Sequence, residues 1–202
     1  MKRVNDPKGT RARILEAAFK EFYRHGFQGG SLNRIVNGAG VTKGSIFHHF
    51  EGKSALGYAV VDELLYEMVD EEWSKALQTS SDPIAEIKGI IDAKGRQFAC
   101  DGVKLCQGCP INNLAQEMSP LDEGFQKRIA RIYDHWRSSI AAALENGIRC
   151  GKVRREVSPP AVAALVVAAF AGMAGTVKNA RDPDLFLRIR EGLFGYLDTL
   201  KA

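Results

Sequence analysis

Apolar residues recur at intervals of three and four along nearly the whole 202-residue chain, and no convincing stretch alternates with period two, so the pattern predicts an all-α fold. Ile14, Ala18 and Phe22, with Leu15 and Phe19 beside them, form the stripe of a first helix that stops at His25-Gly26. Leu56, Val60, Leu64 and Met68 mark another helix, and Ile84, Ile87, Ile91 and Phe98 a third. Phe125, Ile129, Ile132, Trp136, Ile140 and Leu144 mark a long fourth, and Leu185, Ile189, Leu193, Tyr196 and Leu200 close the chain. Asp6-Pro7, Asp82-Pro83, Ser119-Pro120, Ser158-Pro159 and Asp182-Pro183 each set a capping side chain before a residue whose fixed φ and missing N–H suit a first helical turn. These pairs predict helix starts, and with the N-terminal elements they give roughly nine helices.

Between the first helix and Leu56 lie two shorter helical pieces separated by a glycine turn. Ser31 is placed to cap the first, whose Leu32, Ile35, Val36 and Ala39 face inward; Gly40 supplies the turn, Val41 packs in the corner, and Thr42 caps the second. This is helix-turn-helix spacing over about residues 31–50. The second piece needs only Ile46 and Phe50 in the core, which leaves Lys43, Gly44, Ser45, Phe47, His48 and His49 outside. Such a face suits a DNA major groove. Lys43 and Ser45 reach base edges, Gly44 lets the backbone come close, and Phe47 stacks on a sugar or a thymine methyl, while His48, His49 and Lys53 meet phosphates. The competing reading is an αα-corner in an unrelated bundle.

Composition changes the picture in two places. With 45% apolar and 26% charged residues, 20 Gly and 7 Pro, the chain is an ordinary folded protein, which excludes disordered and collagen-like classes. The net charge of +4 conceals an asymmetry: residues 1–58 hold ten Lys or Arg and four Asp or Glu, the remainder eighteen and twenty. The basic end is therefore the nucleic-acid candidate. No apolar run follows the basic N-terminus, and the Ala/Gly-rich run Ala161–Val177 falls short of the about 20 strongly apolar residues of a membrane span. A cytoplasmic, nucleoid-associated protein with no membrane partner is expected, in which the four cysteines are free thiols.

The stretch GVTKGSIFHHFEGKSAL, preceded by ILEAAFKEFYRHGF and SLNRIV, resembles the TetR family of bacterial transcriptional regulators over residues 8–58. The resemblance implies a three-helix DNA-binding domain over residues 1–52 and a larger helical ligand-sensing and dimerisation domain over 53–202. It also implies repression at a palindromic double-stranded operator, relieved by a small molecule. By position the recognition helix is Thr42 to His49, and Asn33 lies where the preceding helix approaches a base. The family often has Tyr where this chain has Phe47, so that contact must be apolar.

In the second half, Ala163, Ala164, Ala168, Ala171, Gly172 and Gly175 allow close helix packing, which predicts a homodimer through the last two helices or, alternatively, an intrachain bundle. Phe98, Tyr133, Trp136, Phe170 and Met173 line an inducer pocket or form plain core. Cys100, Cys106 and Cys109 fall within ten residues and support three readings. Cys106-x-x-Cys109 completed by Cys100, Cys150 or His135 would bind zinc, but a second matching pair is missing and no metal is expected. Buried inert thiols are the second reading. In the third, Cys109 caps a helix beginning at Pro110, whose free N–H groups lower its pKa and make it a reactive thiol, with Cys106 as the resolving partner. The stretch from Gly108 through Glu117 also resembles TetR-type repressors that sense electrophiles and reactive chlorine species, a branch in which a lysine matching Lys178 by position assists. No catalytic constellation or cofactor motif is present, so a regulator is expected rather than an enzyme. The alternatives are a DNA-organising protein without an inducer and a thiol enzyme.

Overall fold

The structure is a computed structural model describing residues 7–100 and 107–202, with the side chains of 97–100 outside that description. Phe98, Cys100 and Cys106 of the sensing set thus lie outside the described side chains. Nine helices stand among the described residues, in accord with the all-α expectation. They are α1 (Pro7–Gly29), α2 (Leu32–Ala39), α3 (Lys43–His49), α4 (residues 53–79), α5 (Pro83–Cys100), α6 (Pro110–Met118), α7 (Glu123–Arg149), α8 (Pro159–Ala180) and α9 (Pro183–Asp198). Extended pairing among these residues is limited to an isolated bridge between Val153 and Lys201.

The chain forms two compact units. The first holds the described residues up to Glu67 together with Asn113–Ile129, and the second holds the described residues of Met68–Asn112 together with Ala130–Ala202. In the first unit, α1 buries Ile14, Leu15, Ala18 and Phe22, and each of the three large side chains contributes about 1.5–3 kcal/mol where fully buried. The regular helix breaks at Gly26, whose φ of 74° and ψ of 167° leave the helical region, one residue into the predicted stop. Gly40, at φ 62°, ends α2 in the left-handed conformation. Gly57 on α4 admits the rings of Phe27 and Phe125, which meet edge to face at 4.6 Å.

In the second unit, Ile132, Trp136, Ile140 and Leu144 of α7 are buried as predicted. The indoles of Trp73 and Trp136 lie 5.1 Å apart, and the Phe170 ring meets both edge-on at 5.4 and 5.7 Å. Helix α8 is long and apolar enough to cross a membrane by length and composition, yet nine of its residues are buried inside the fold, as a core helix requires. Arg190 of α9 bonds Asp92 of α5 at 2.8 Å, and Lys88 bonds Asp198 at 2.6 Å.

Four local expectations are corrected. Ser119-Pro120 lies in a turn, and α7 starts three residues after Pro120, where Asp122 caps the Phe125 amide at 3.0 Å while also taking the Tyr58 hydroxyl at 2.8 Å. Ser31 precedes α2 without a side-chain cap, and its own amide donates to Glu21 at 2.8 Å. On α9 the buried set is Phe186, Leu193 and Leu197, followed by Leu200, while Leu185 and Ile189 are half-buried and Tyr196 is exposed.

The fourth correction is a matter of winding. Helix α4 buries Val61, Leu65, Val69, Trp73 and Leu77, and Leu64 and Met68 are only half-buried. Within it, Val60–Leu65 and Asp70–Ser74 wind as π-helix, taking more residues per turn than the α-helix. A spacing of four would drift around an α-helix, and the wider turns bring it back to one face.

Candidate nucleic-acid interface

A seven-residue helix is unstable alone, so α3 depends on its ends and on its inner face. Thr42 Oγ1 accepts the Ser45 amide at 3.2 Å, which is the predicted cap. Ile46 and Phe50 are both buried, and the Phe50 amide closes the helix on the Ile46 carbonyl at 2.8 Å. With the core served by two residues, Lys43, Gly44, Phe47 and His48 are exposed, and Phe47 keeps 49% of its surface open.

The other predicted residues differ in exposure and partners. Ser45 and His49 are half-buried; the Ser45 hydroxyl lies 3.0 Å from that of Thr42, and the His48 and His49 rings meet edge to face at 5.1 Å. Asn33 is exposed on α2. Lys53 stands apart: its ammonium donates to the Gln28 carbonyl at 3.0 Å and lies 4.9 Å over the Phe27 ring, so it is engaged within the first unit rather than offered with the others.

Sequence reasoning missed Pro7 and Thr10. Together with Thr42, Gly44, Ser45, His48 and His49 they line a groove of about 400 Å³. The available signal was the predicted helix start at Pro7, inside the basic N-terminal run. That run offers fewer free cations than its composition indicates, because Arg11 makes a paired contact with Glu63 at 2.5 Å and Arg34 bonds Glu21 at 2.7 Å. The hydrogen bond and the charge of Glu63 raise Arg11 above its ordinary value despite partial burial, and Arg11 in turn holds Glu63 below its own.

Of the predicted sensing residues, Trp136, Phe170 and Met173 are buried, and Tyr133 stacks parallel to Trp136 at 6.4 Å. Burial pushes the Tyr133 hydroxyl up to about 12, helped by the neighbouring Cys109. Cys109 does precede α6, and its sulfur meets the amides of Ile111 and Asn112. The expected fall in its pKa is nevertheless overturned. The residue is 8% exposed, and burial pushes the thiol up by more than the two amides and Lys94 pull it down; Glu72, ion-paired with that lysine, pushes the same way as burial. Lys178 is half-buried in the last turn of α8. Among the described residues no group of three His, Cys, Asp or Glu side chains could hold a metal ion, and His135 bonds Asp70 at 3.0 Å and Ser74 at 2.9 Å.

Comparison with known proteins agrees with this geometry. Residues 14–60 match the family described as bacterial regulatory proteins, tetR family, and residues 95–193 match the tetracyclin repressor-like C-terminal domain. The HTH-type transcriptional repressor DhaR of Mycobacterium sp. (strain GP1) is 28% identical over 183 residues, 89% of each chain. The HTH-type transcriptional regulator YxaF of Bacillus subtilis (strain 168) is 30% identical over 142 residues, 68% of this chain and 72% of that one. In fold, the chain is similar to the reduced form of E. coli NemR, with a TM-score of 0.81 at 23% identity and coverage of 96% and 97%. Family matches over both halves of the sequence and relatives spanning most of the chain lead to one conclusion: the chain belongs to the TetR family of bacterial transcriptional regulators and is a DNA-binding regulator.

Proposed function

We propose that the protein is a homodimeric repressor that sits on a palindromic double-stranded operator and is released by an effector acting on the region after residue 52. The observation that carries this reading is the outward face of α3, where Phe47 is half exposed beside Lys43, Gly44 and His48. Lys43 and Ser45 read base edges, Phe47 contacts a sugar or thymine methyl, and His48, His49 and Thr10 meet phosphates. Asn33 adds a contact from α2. A dimer supplies two such helices about 34–36 Å apart, one turn of DNA. Support for the dimer comes from α8 and α9, which leave Leu165, Leu187 and Tyr196 exposed, and from Gly172, Gly192 and Gly195, beside which there is open space.

The effector is a small apolar molecule that separates the aromatic rings around Trp136. The burial of Cys109 favours such a reversible ligand over direct attack on the thiol. A second reading rests on the two amides that meet its sulfur: once solvent reaches the intact first turn of α6, those amides and Lys94 stabilise a thiolate that an electrophile can modify, with Lys178 assisting.

The test is fluorescence anisotropy of reduced protein titrated onto DNA from beside its own gene, before and after N-ethylmaleimide, with light scattering for oligomeric state. Saturable, sequence-selective binding by a dimer supports the proposal, and a strict monomer on DNA overturns it. Loss of binding on alkylation that Cys109→Ser prevents selects the thiol reading, whereas indifference to alkylation selects the reversible ligand.

A further inference from the structure

We propose that Glu117 is a positioning residue for operator recognition, acting through the backbone that leads from α1 into the helix-turn-helix. Its carboxylate takes two consecutive amides, Phe27 N–H on Oε2 and Gln28 N–H on Oε1, each at 2.8 Å. These amides follow the left-handed Gly26 and begin a new turn, so they are the donors a helix start leaves without an internal acceptor. A remote carboxylate thus does the work of a cap, and charge-assisted bonds to both oxygens make it a stiff one.

Three further contacts show how much is built around this grip. Gly26 is required twice: its φ is +74°, and a Cβ there would lie 3.0 Å from both Glu117 oxygens. Lys53 takes the same segment from its carbonyl side through Gln28 O at 3.0 Å. The Phe27 ring is wedged against Phe125 at 4.6 Å. Residues 27–31, the end of α1 beyond the break at Gly26 and the two residues after it, lead into α2, and at their far end Glu21 holds Ser31 and Arg34. This segment is therefore fixed at both ends, and the pose of α2 and α3 follows from it.

Reading base edges needs the recognition helix held to a fraction of an ångström, whereas attraction between cations and phosphates tolerates a looser pose. The grip therefore acts on the ratio of specific to non-specific binding. This inference rests on the DNA-binding role, so the unaltered protein is the reference. Anisotropy is read for the unaltered protein, Glu117→Gln and Glu117→Ala on a duplex from beside the protein's own gene and on a scrambled duplex of equal composition, with thermal melts alongside.

Glu117→Ala should weaken binding to the first duplex by about tenfold and leave the scrambled duplex and its salt dependence unchanged. Glu117→Gln, which keeps one acceptor oxygen, should fall between. Unchanged binding to the first duplex by both variants overturns the proposal, and so does an equal loss on both duplexes, which would mark Glu117 as a folding residue only. If Glu117→Ala does not fold, the same ratio is read from Glu117→Gln. Failure of the unaltered protein to prefer the first duplex would instead count against the proposed operator.

Discussion

Glu21 on α1 holds the guanidinium of Arg34 on α2 at 2.7 Å, and the same carboxylate oxygen takes the Ser31 amide at 2.8 Å. Burial by itself raises this carboxyl, but Arg34, the Ser31 amide and His25 more than offset it, so Glu21 sits below its ordinary 4.5. A folded pKa below the unfolded one contributes stability that is present above 4.5 and is lost as pH falls through the lowered value. Glu21→Gln should therefore melt lower than the unaltered protein at neutral pH, with the difference shrinking below about pH 4.5. Thermal melts between neutral and acidic pH check this, and a constant difference would contradict it.

The contributions of α3 separate by type. Thr42→Ala removes the cap that accepts Ser45, costs the helix about 1 kcal/mol and should weaken operator binding about fivefold. Lys43→Ala should cost about 1–3 kcal/mol of operator binding and relax the preference for the base it reads, lowering the slope of log affinity against log salt by at most about one, without changing the melt. Phe47→Ala should weaken operator binding and leave that slope intact, because its contact is apolar. One anisotropy series over salt concentration distinguishes all three.

Two glycines on one helix should respond in opposite ways. A methyl at Gly95 of α5 would fall 2.2 Å from Cε1 of Phe186 on α9, so Gly95→Ala forces the ring or the helix to move and should cost about 1–3 kcal/mol. At Gly89, six residues earlier, nothing lies within 4 Å of an added Cβ, and alanine should stabilise the helix by about 0.5–1 kcal/mol. Thermal melts of the two variants make the comparison.

Burial also sets thiol reactivity. Cys150 is exposed at the end of α7, while Cys109 is enclosed with a raised pKa. Iodoacetamide should label Cys150 about tenfold or more faster than Cys109 in the native protein, and the two rates should converge in denaturant. Peptide mass spectrometry after timed quenching reads both sites.

Local interactions were legible in the sequence, and distant ones were not. The Thr42 cap, the Gly40 turn and the inward pair Ile46 and Phe50 depend on neighbours three or four residues away, and all three stand as predicted. The Lys53 bond to the Gln28 carbonyl is invisible in sequence because the two residues are 25 apart. At Cys109 the helix dipole is visible in the sequence, whereas the desolvation by distant side chains that outweighs it is not. Glu117 gave no signal at all, since its two amide donors lie 90 and 89 residues away.

The two π-helical stretches of α4 mean that this helix is longer in residues than in turns. Removing one exposed residue from each stretch would return the run to plain α-winding, and its buried positions from Val61 onward would then alternate at three and four, the ordinary heptad rhythm. The inward face would be kept while the helix shortened. Relatives whose corresponding helix is two residues shorter can therefore share this packing without sharing its length, and an alignment that spreads those missing residues into loops would misassign every inward side chain between them.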